Sequence, residues 1–237
     1  MLKTKYNILT FLGILVLGGL FAFTNHRNKQ RKVTPDKVIF TSINNLLVSE
    51  ASVNKLLIQK RISDSIQTKE TLTLNTIESQ LETVPHIKNA QVYVSVNGLV
   101  STNITPRKAI GRMYSSSPHY IDDEGIEMPL VYRYAERVPL VYNYKSKYKK
   151  DLVFLLNKIE TTPFLKHLVV GVYCGPNLKF RLKIRDYAGN IELGTIEKLN
   201  LKVKNFNGFY AKAIKDQLFK KYRKINLEIT NQVVCTK

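Results

Sequence analysis

Cysteine is nearly absent. Cys174 and Cys235 are the only two in 237 residues, too few for a disulfide framework and without the spacing of a metal site. Because a disulfide demands close and well-aligned partners, two unpaired thiols are the expectation. Acidic residues are scarce too, 18 against 37 Lys and Arg, for a net charge of +19. That imbalance points to an anionic neighbour, either nucleic acid or a membrane surface. The marks of a catalytic site are also missing. There is no nucleotide-binding glycine loop and no nucleophile elbow, and His26, His86, His119 and His167 lie far apart in the chain. The expectation is a protein that is not an enzyme, with no cofactor and no metal. Apolar material is plentiful, however, at 44% hydrophobic and 10% aromatic residues. That composition argues for a folded chain with room for one large or two small domains.

One hydrophobic run stands out. Ile8 to Phe23 read ILTFLGILVLGGLFAF without a charge, just under the roughly 17–25 residues of a spanning helix. Tyr6 and Asn7 lengthen it. Ile8, Leu12, Leu15, Leu17, Leu20 and Phe23 are the membrane-spanning candidates. A cleaved signal peptide is one alternative, since Lys3 and Lys5 precede the run. Cleavage wants two small residues, though, and only Ala22 supplies one. A buried core helix is the other alternative; the reading adopted is an uncleaved anchor. Arg27, Lys29, Arg31 and Lys32 follow it. Counted naively, they would hold the rest of the chain in the cytoplasm, but long domains translocate largely regardless of flanking charge, so orientation stays open.

Beyond this basic stretch, Val38–Phe40 is a short strand candidate, and Ser49 is placed to cap a helix over residues 51–59 that buries Val53, Leu56 and Leu57. A polar stretch, 60–69, follows. Asn75 then caps a second helix, with Glu78 positioned for a capping box, and Pro85 ends it. In "ESQLETVPHIKNAQVYVSVNG", residues 78–98, the apolar spacing changes from helical to alternating. Ala90, Val92, Val94 and Val96 share one strand face, and Asn97-Gly98 signals a hairpin. A three-residue loop pairs Val92 with Ile104 and Val96 with Val100, keeping one face apolar, so it is preferred to a two-residue turn. The order reads β-α-α-β-β over residues 37–105.

In the second half, Tyr120-Ile121 and Ile126–Met128 make a hairpin whose tip, Asp122-Asp123-Glu124-Gly125, reads as a solvated turn. Leu152, Leu155, Leu156 and Ile159 mark a helix that stops at Thr162-Pro163, and a strand over 168–173 follows. Leu178, Phe180, Leu182 and Ile184 alternate with Lys179, Arg181, Lys183 and Arg185. The basic face is read as solvated, and attraction to an anionic surface is the other reading. Leu199, Val203, Phe206, Tyr210, Ala213 and Ile214 trace a last helix with a core-facing stripe, and residues 225–235 form a closing strand.

These segments carry a resemblance. The β-α-α-β-β order with "LETVPHIKNAQVYVSVNG" and "ITPRKAI" resembles the POTRA domain of the bacterial FtsQ family (DivIB in some bacteria). "YIDDEGIEMPL", "VPLVYN", "IELGTIEKL", "FYAKAI" and "INLEITNQVVCTK" are similar to its Bacteroidetes members. Where the family has Glu-Arg-x-Pro, this chain has Pro106-Arg107-Lys108-Ala109. The resemblance implies an α+β fold: a cytoplasmic tail and single transmembrane helix over 1–25, a basic linker over 26–36, a POTRA domain over 37–108, and a mostly antiparallel β domain with a few helices over 109–237. It also implies a single-pass protein of the cell inner membrane, in contact with its lipids, with the bulk of the chain in the periplasm. Its role there would be non-catalytic: binding the divisome proteins FtsB and FtsL and helping to control septal peptidoglycan synthesis. FtsB would dock on the terminal strand, at Ile225, Leu227, Ile229, Thr230, Asn231 and Val233. The competing class is a basic nucleic-acid-binding or other membrane-tethered binding protein, the former suggested by the tyrosines among the lysines at 142–150 and 220–224. An exported domain would meet no chromosomal DNA.

Overall fold

The computed structural model describes residues 2–29, 34–40, 47–49, 51, 53, 55, 74–96, 99–131 and 134–237; side chains of 2–9, 28, 29 and 34–37 are outside that description. Two compact units divide the chain, Met1–Pro106 and Arg107–Lys237.

The first unit opens with α1 (Leu2–Lys29). Each side chain from Thr10 to Arg27 is exposed, whichever way it faces, including Leu12, Leu15, Leu17, Leu20 and Phe23. Among the described residues, no helix is long and apolar enough to cross a membrane; Ile8 lies outside the described side chains. After α1 come β1 (Thr34–Phe40), α2 (Leu74–Glu82), β2 (Ile87–Val94) and β3 (Leu99–Pro106). The sheet order is β1-β3-β2, with β1 parallel to β3 and β2 antiparallel to it. Of the helix expected over 51–59, residues 51, 53 and 55 are helical and the rest lies outside the described residues. Val53 is buried with Ile77, Leu81, Ile87, Val92 and Ile104 in one core, against which Val84 and Val94 pack. Burying aliphatic side chains of this size contributes about 1.5–3 kcal/mol each.

Two local expectations are corrected here. The capping box does not form: Asn75 lies inside α2, its carbonyl taking the Ser79 hydroxyl (2.8 Å). Glu78 instead reaches the sheet, where its carboxylate accepts the Val92 N–H at 2.7 Å. Glu82 does likewise for Ala90 N–H at 3.2 Å and the Asn89 side-chain amide at 3.0 Å. Buried or half-buried backbone donors must find acceptors, and the free side of β2 finds these carboxylates. The hairpin register differs as well. Val92 lies opposite Thr102 and Val94 opposite Val100, while Ser95 N–H donates to Leu99 O (2.9 Å). The shift is two residues, so every side chain keeps its face. It pairs bulky Ile104 with small Ala90 and leaves Val96 75% exposed. Asn97 and Gly98 lie outside the described residues.

The second unit is one nine-stranded sheet, β12-β11-β10-β9-β8-β7-β4-β5-β6. Its strands are β4 (Ala109–Met113), β5 (His119–Asp122), β6 (Glu127–Pro129), β7 (Leu140–Tyr142), β8 (Val169–Cys174), β9 (Phe180–Ile184), β10 (Asn190–Gly194), β11 (Lys224–Asn226) and β12 (Val234–Thr236). Helices α3 (Lys149–Thr161), α4 (Pro163–Leu168) and α5 (Leu199–Lys215) share a single core with the sheet. Pro163 opens α4 in the first turn, where its missing N–H costs nothing. The pairings are parallel for β4·β7, β7·β8 and β10·β11 and antiparallel for the others. The sheet is therefore mixed, with antiparallel pairs in the majority. In β9, Phe180, Leu182 and Ile184 are buried and Arg181 and Lys183 exposed, as the alternation requires. In α5 the expected stripe is corrected at its end: Ile214 is 48% exposed.

Candidate partner-binding edge of the large sheet

The terminal segment is not one strand. Residues 224–226 form β11 and residues 234–236 form β12, which fold on each other with Ile225 opposite Cys235 and Asn226 opposite Val234. The break has a local cause. The Asn226 side-chain carbonyl accepts the Glu228 N–H (2.8 Å), a turn that short polar side chains favour over a continuing ladder. Asn205 of α5 then donates to the Thr230 carbonyl at 2.7 Å. Of the residues expected in a partner-facing strand, Ile225 and Leu227 are buried in the core and Val233 packs against it. Ile229 is 47% exposed, and Thr230 and Asn231 occupy the turn. The expected strand alternation thus ends at Asn226. Within this terminal segment the open pairing side belongs to β12, which has β11 on one side and, among the described residues, no strand on the other.

The hairpin is held from below. Leu227 N–H donates to the Glu192 carbonyl (2.8 Å), and Lys179 reaches the Glu228 carboxylate at 3.1 Å. Gly194 ends β10 at φ +72°, and a Cβ there would lie 2.7 Å from Glu228 Cγ. Behind it, Lys202 is buried and donates to the Leu193 (3.0 Å) and Thr195 (2.8 Å) carbonyls. Burial lowers its pKa, with Glu228 and Glu197 pulling the other way. In the sequence the signal for this clamp is a lysine three residues after Leu199 and beside Val203, on the apolar stripe. Around the edge, Lys220, Lys221, Arg223, Lys224 and Lys237 are exposed, and Lys224 pairs with Glu192 at 2.9 Å.

The acidic tip between β5 and β6 is corrected too. Asp123 and Glu124 are exposed, but Asp122 is fully buried. One of its oxygens accepts the Glu124 (3.0 Å) and Ile126 (2.6 Å) N–H groups, and the other meets Arg107 at 2.6 Å. Glu124 adds a second contact to Arg107 at 2.7 Å. Burial pulls the Arg107 pKa down, and the hydrogen bonds it donates to Glu124 and Asp122 more than reverse it. A buried carboxylate is tolerated only with such partners. Arg107 stands in the Pro106–Ala109 segment where the chain departs from the Glu-Arg-x-Pro pattern.

The two cysteines are free. They sit on β8 and β12, with β9, β10 and β11 between them, about 19 Å at the usual strand spacing and far beyond disulfide reach. Burial pushes the Cys174 pKa to about 11. The tyrosines in the basic stretches are already engaged. Tyr148 is buried, its hydroxyl donating to the Gly175 carbonyl (2.7 Å). Tyr142 stacks on Tyr173 at 4.4 Å between ring centres, and Tyr222 packs against Phe209 at 5.9 Å. Among the described residues, no group of acidic, His or Cys side chains is placed to hold a metal ion.

No curated protein matches the chain. Residues 108–236 match the family described as FtsQ/DivIB, C-terminal related. That segment contains the whole sheet from β4 to β12 and makes up more than half of the chain, so the protein belongs to the FtsQ/DivIB family of cell-division proteins.

Proposed function

We propose that this protein is a non-catalytic assembly factor of the division apparatus, anchored in the inner membrane by α1. Its two periplasmic domains, a POTRA domain over 37–108 and a β domain over 109–237, would join an FtsB-like and an FtsL-like partner and help to control septal peptidoglycan synthesis. Several features support the anchor. Within α1 the run 8–23 is uncharged, and the side chains from Thr10 to Arg27 are exposed on every face. Apolar side chains spread around a helix, as in this run, leave no single face to bury and suit a lipid surround.

The observation that carries the partner reading is the open side of β12. An unpaired strand edge accepts an extended segment through backbone hydrogen bonds. The exposed lysines and Arg223 around it favour a segment rich in Asp and Glu. Because Thr230 and Asn231 lie in the turn, the discriminating substitutions are Val234→Pro and Cys235→Pro. Successive strand residues point their N–H groups to opposite sides, so one proline removes a donor toward β11 and the other a donor toward the partner. Pull-down of FtsB by the full-length chain should fail for at least one proline variant whose melting curve stays native. Normal capture by both folded variants would defeat strand pairing at this edge.

A further inference from the structure

Beside the first residues of β7 and β8, the end of β9 and the last turn of α3 lies a cleft of about 410 Å³. Its floor is apolar, made by Ile110, Val138, Ile159 and Val169. Its walls are cationic, with Arg137, Lys166, His167 and Arg185. One carboxylate, Glu160, stands among them, and it is already held by Lys108 and by Lys166 at 2.6 Å. Burial would raise the Glu160 pKa, but the hydrogen bonds from those two lysines lower it. His167 donates its Nδ1–H to the Pro163 carbonyl at 3.0 Å and is exposed. Among the described residues, no acidic side chain lies within salt-bridge distance of Arg137 or Arg185.

We infer that this cleft is a second docking site, distinct from the β12 edge, for an acidic peptide segment with an apolar anchor. The apolar floor takes one aliphatic side chain, and flanking carboxylates pair with Arg137 and Arg185. Arginine is suited to this, since its planar fork binds a carboxylate through two parallel hydrogen bonds. A purely inorganic anion would leave the floor unused, and a purely apolar segment would leave two guanidinium groups unmatched. The inference does not depend on what docks at β12, because the two sites share no residue.

The test uses the full-length chain in detergent and a fluorescein-labelled Glu-Glu-Leu-Glu-Glu peptide, read by anisotropy. Binding should weaken by about tenfold or more in Arg137→Gln/Arg185→Gln. The charge-matched Lys212→Gln/Lys215→Gln control, on exposed positions of α5, should stay within about twofold. Replacing the peptide's leucine with serine should also weaken binding. Equal losses in both variants would reduce the effect to net charge and overturn the inference. So would displacement of the peptide by inorganic phosphate at equal concentration with no dependence on the leucine, which would make this a free-anion site. Arg185 is exposed, so Arg185→Gln alone serves if the double variant unfolds, and undiminished binding by that folded variant would likewise overturn it.

Discussion

Thr102 is a hydroxyl in the wrong solvent. It is 1% exposed in the middle of β3, and its oxygen finds no hydrogen-bond partner among the described residues. An unmet buried hydroxyl costs about 1–3 kcal/mol, so Thr102→Val should stabilise the first unit by roughly 1 kcal/mol. A denaturant midpoint that does not rise would mean the hydroxyl is satisfied. Glu160 gives the opposite kind of residue effect, one that depends on pH. Its folded pKa lies below the ordinary 4.5. The stability it contributes is therefore fully present above that value and lost as pH falls through the lower folded value. Glu160→Gln should destabilise the protein at pH 7, and the gap to the parent chain should narrow near pH 3. A constant gap across that range would exclude the charge pairing with Lys108 and Lys166 as its source.

At the scale of elements, Gly194 controls the join between β10 and the last hairpin. Only glycine adopts φ +72° without strain, and a methyl group there would push on Glu228. Gly194→Ala should cost about 1 kcal/mol or more and loosen the Lys179–Glu228 contact. Hydrogen exchange should rise in β11 and β12 ahead of β8 and β9; uniform exchange would argue against a local role. Most elements were legible in the sequence because their apolar residues keep a strict period, as Leu152, Leu155, Leu156 and Ile159 do in α3 and Phe180, Leu182 and Ile184 in β9. Failures came where one polar side chain overrides the period. Asn226 ends β11 by bonding the Glu228 backbone, and Lys202 enters the core by capping two carbonyls. Asp122 is buried with Arg107, far from it in sequence, beside one oxygen and two backbone N–H groups on the other. Such long-range pairing leaves no trace in local spacing, and the cleft beside Arg137 and Arg185, assembled from five separate segments, left none either.

For the whole molecule, the proposed arrangement makes topology the deciding property. A reporter that is active only outside the cytoplasm, fused after Lys237, should work if α1 anchors the chain with its bulk exported. Activity from a cytoplasm-only reporter would sink the division role as proposed here. The excess of 37 Lys and Arg over 18 Asp and Glu would then face anionic headgroups as well as protein partners, so association with vesicles should weaken as salt rises.

The carboxylates of Glu78 and Glu82 on the free side of β2 bear on how many copies of this chain can gather. A sheet with two open margins stacks end on end without limit, each newcomer offering a fresh margin to the next. In the small sheet, among the described residues, β1 and β2 are the two edges, and on the outer side of β2 the Ala90 and Val92 N–H groups are taken by the two glutamates. Copies meeting through this sheet alone would therefore do so in twos, β1 margin to β1 margin, with no second margin of the same sheet left for a third.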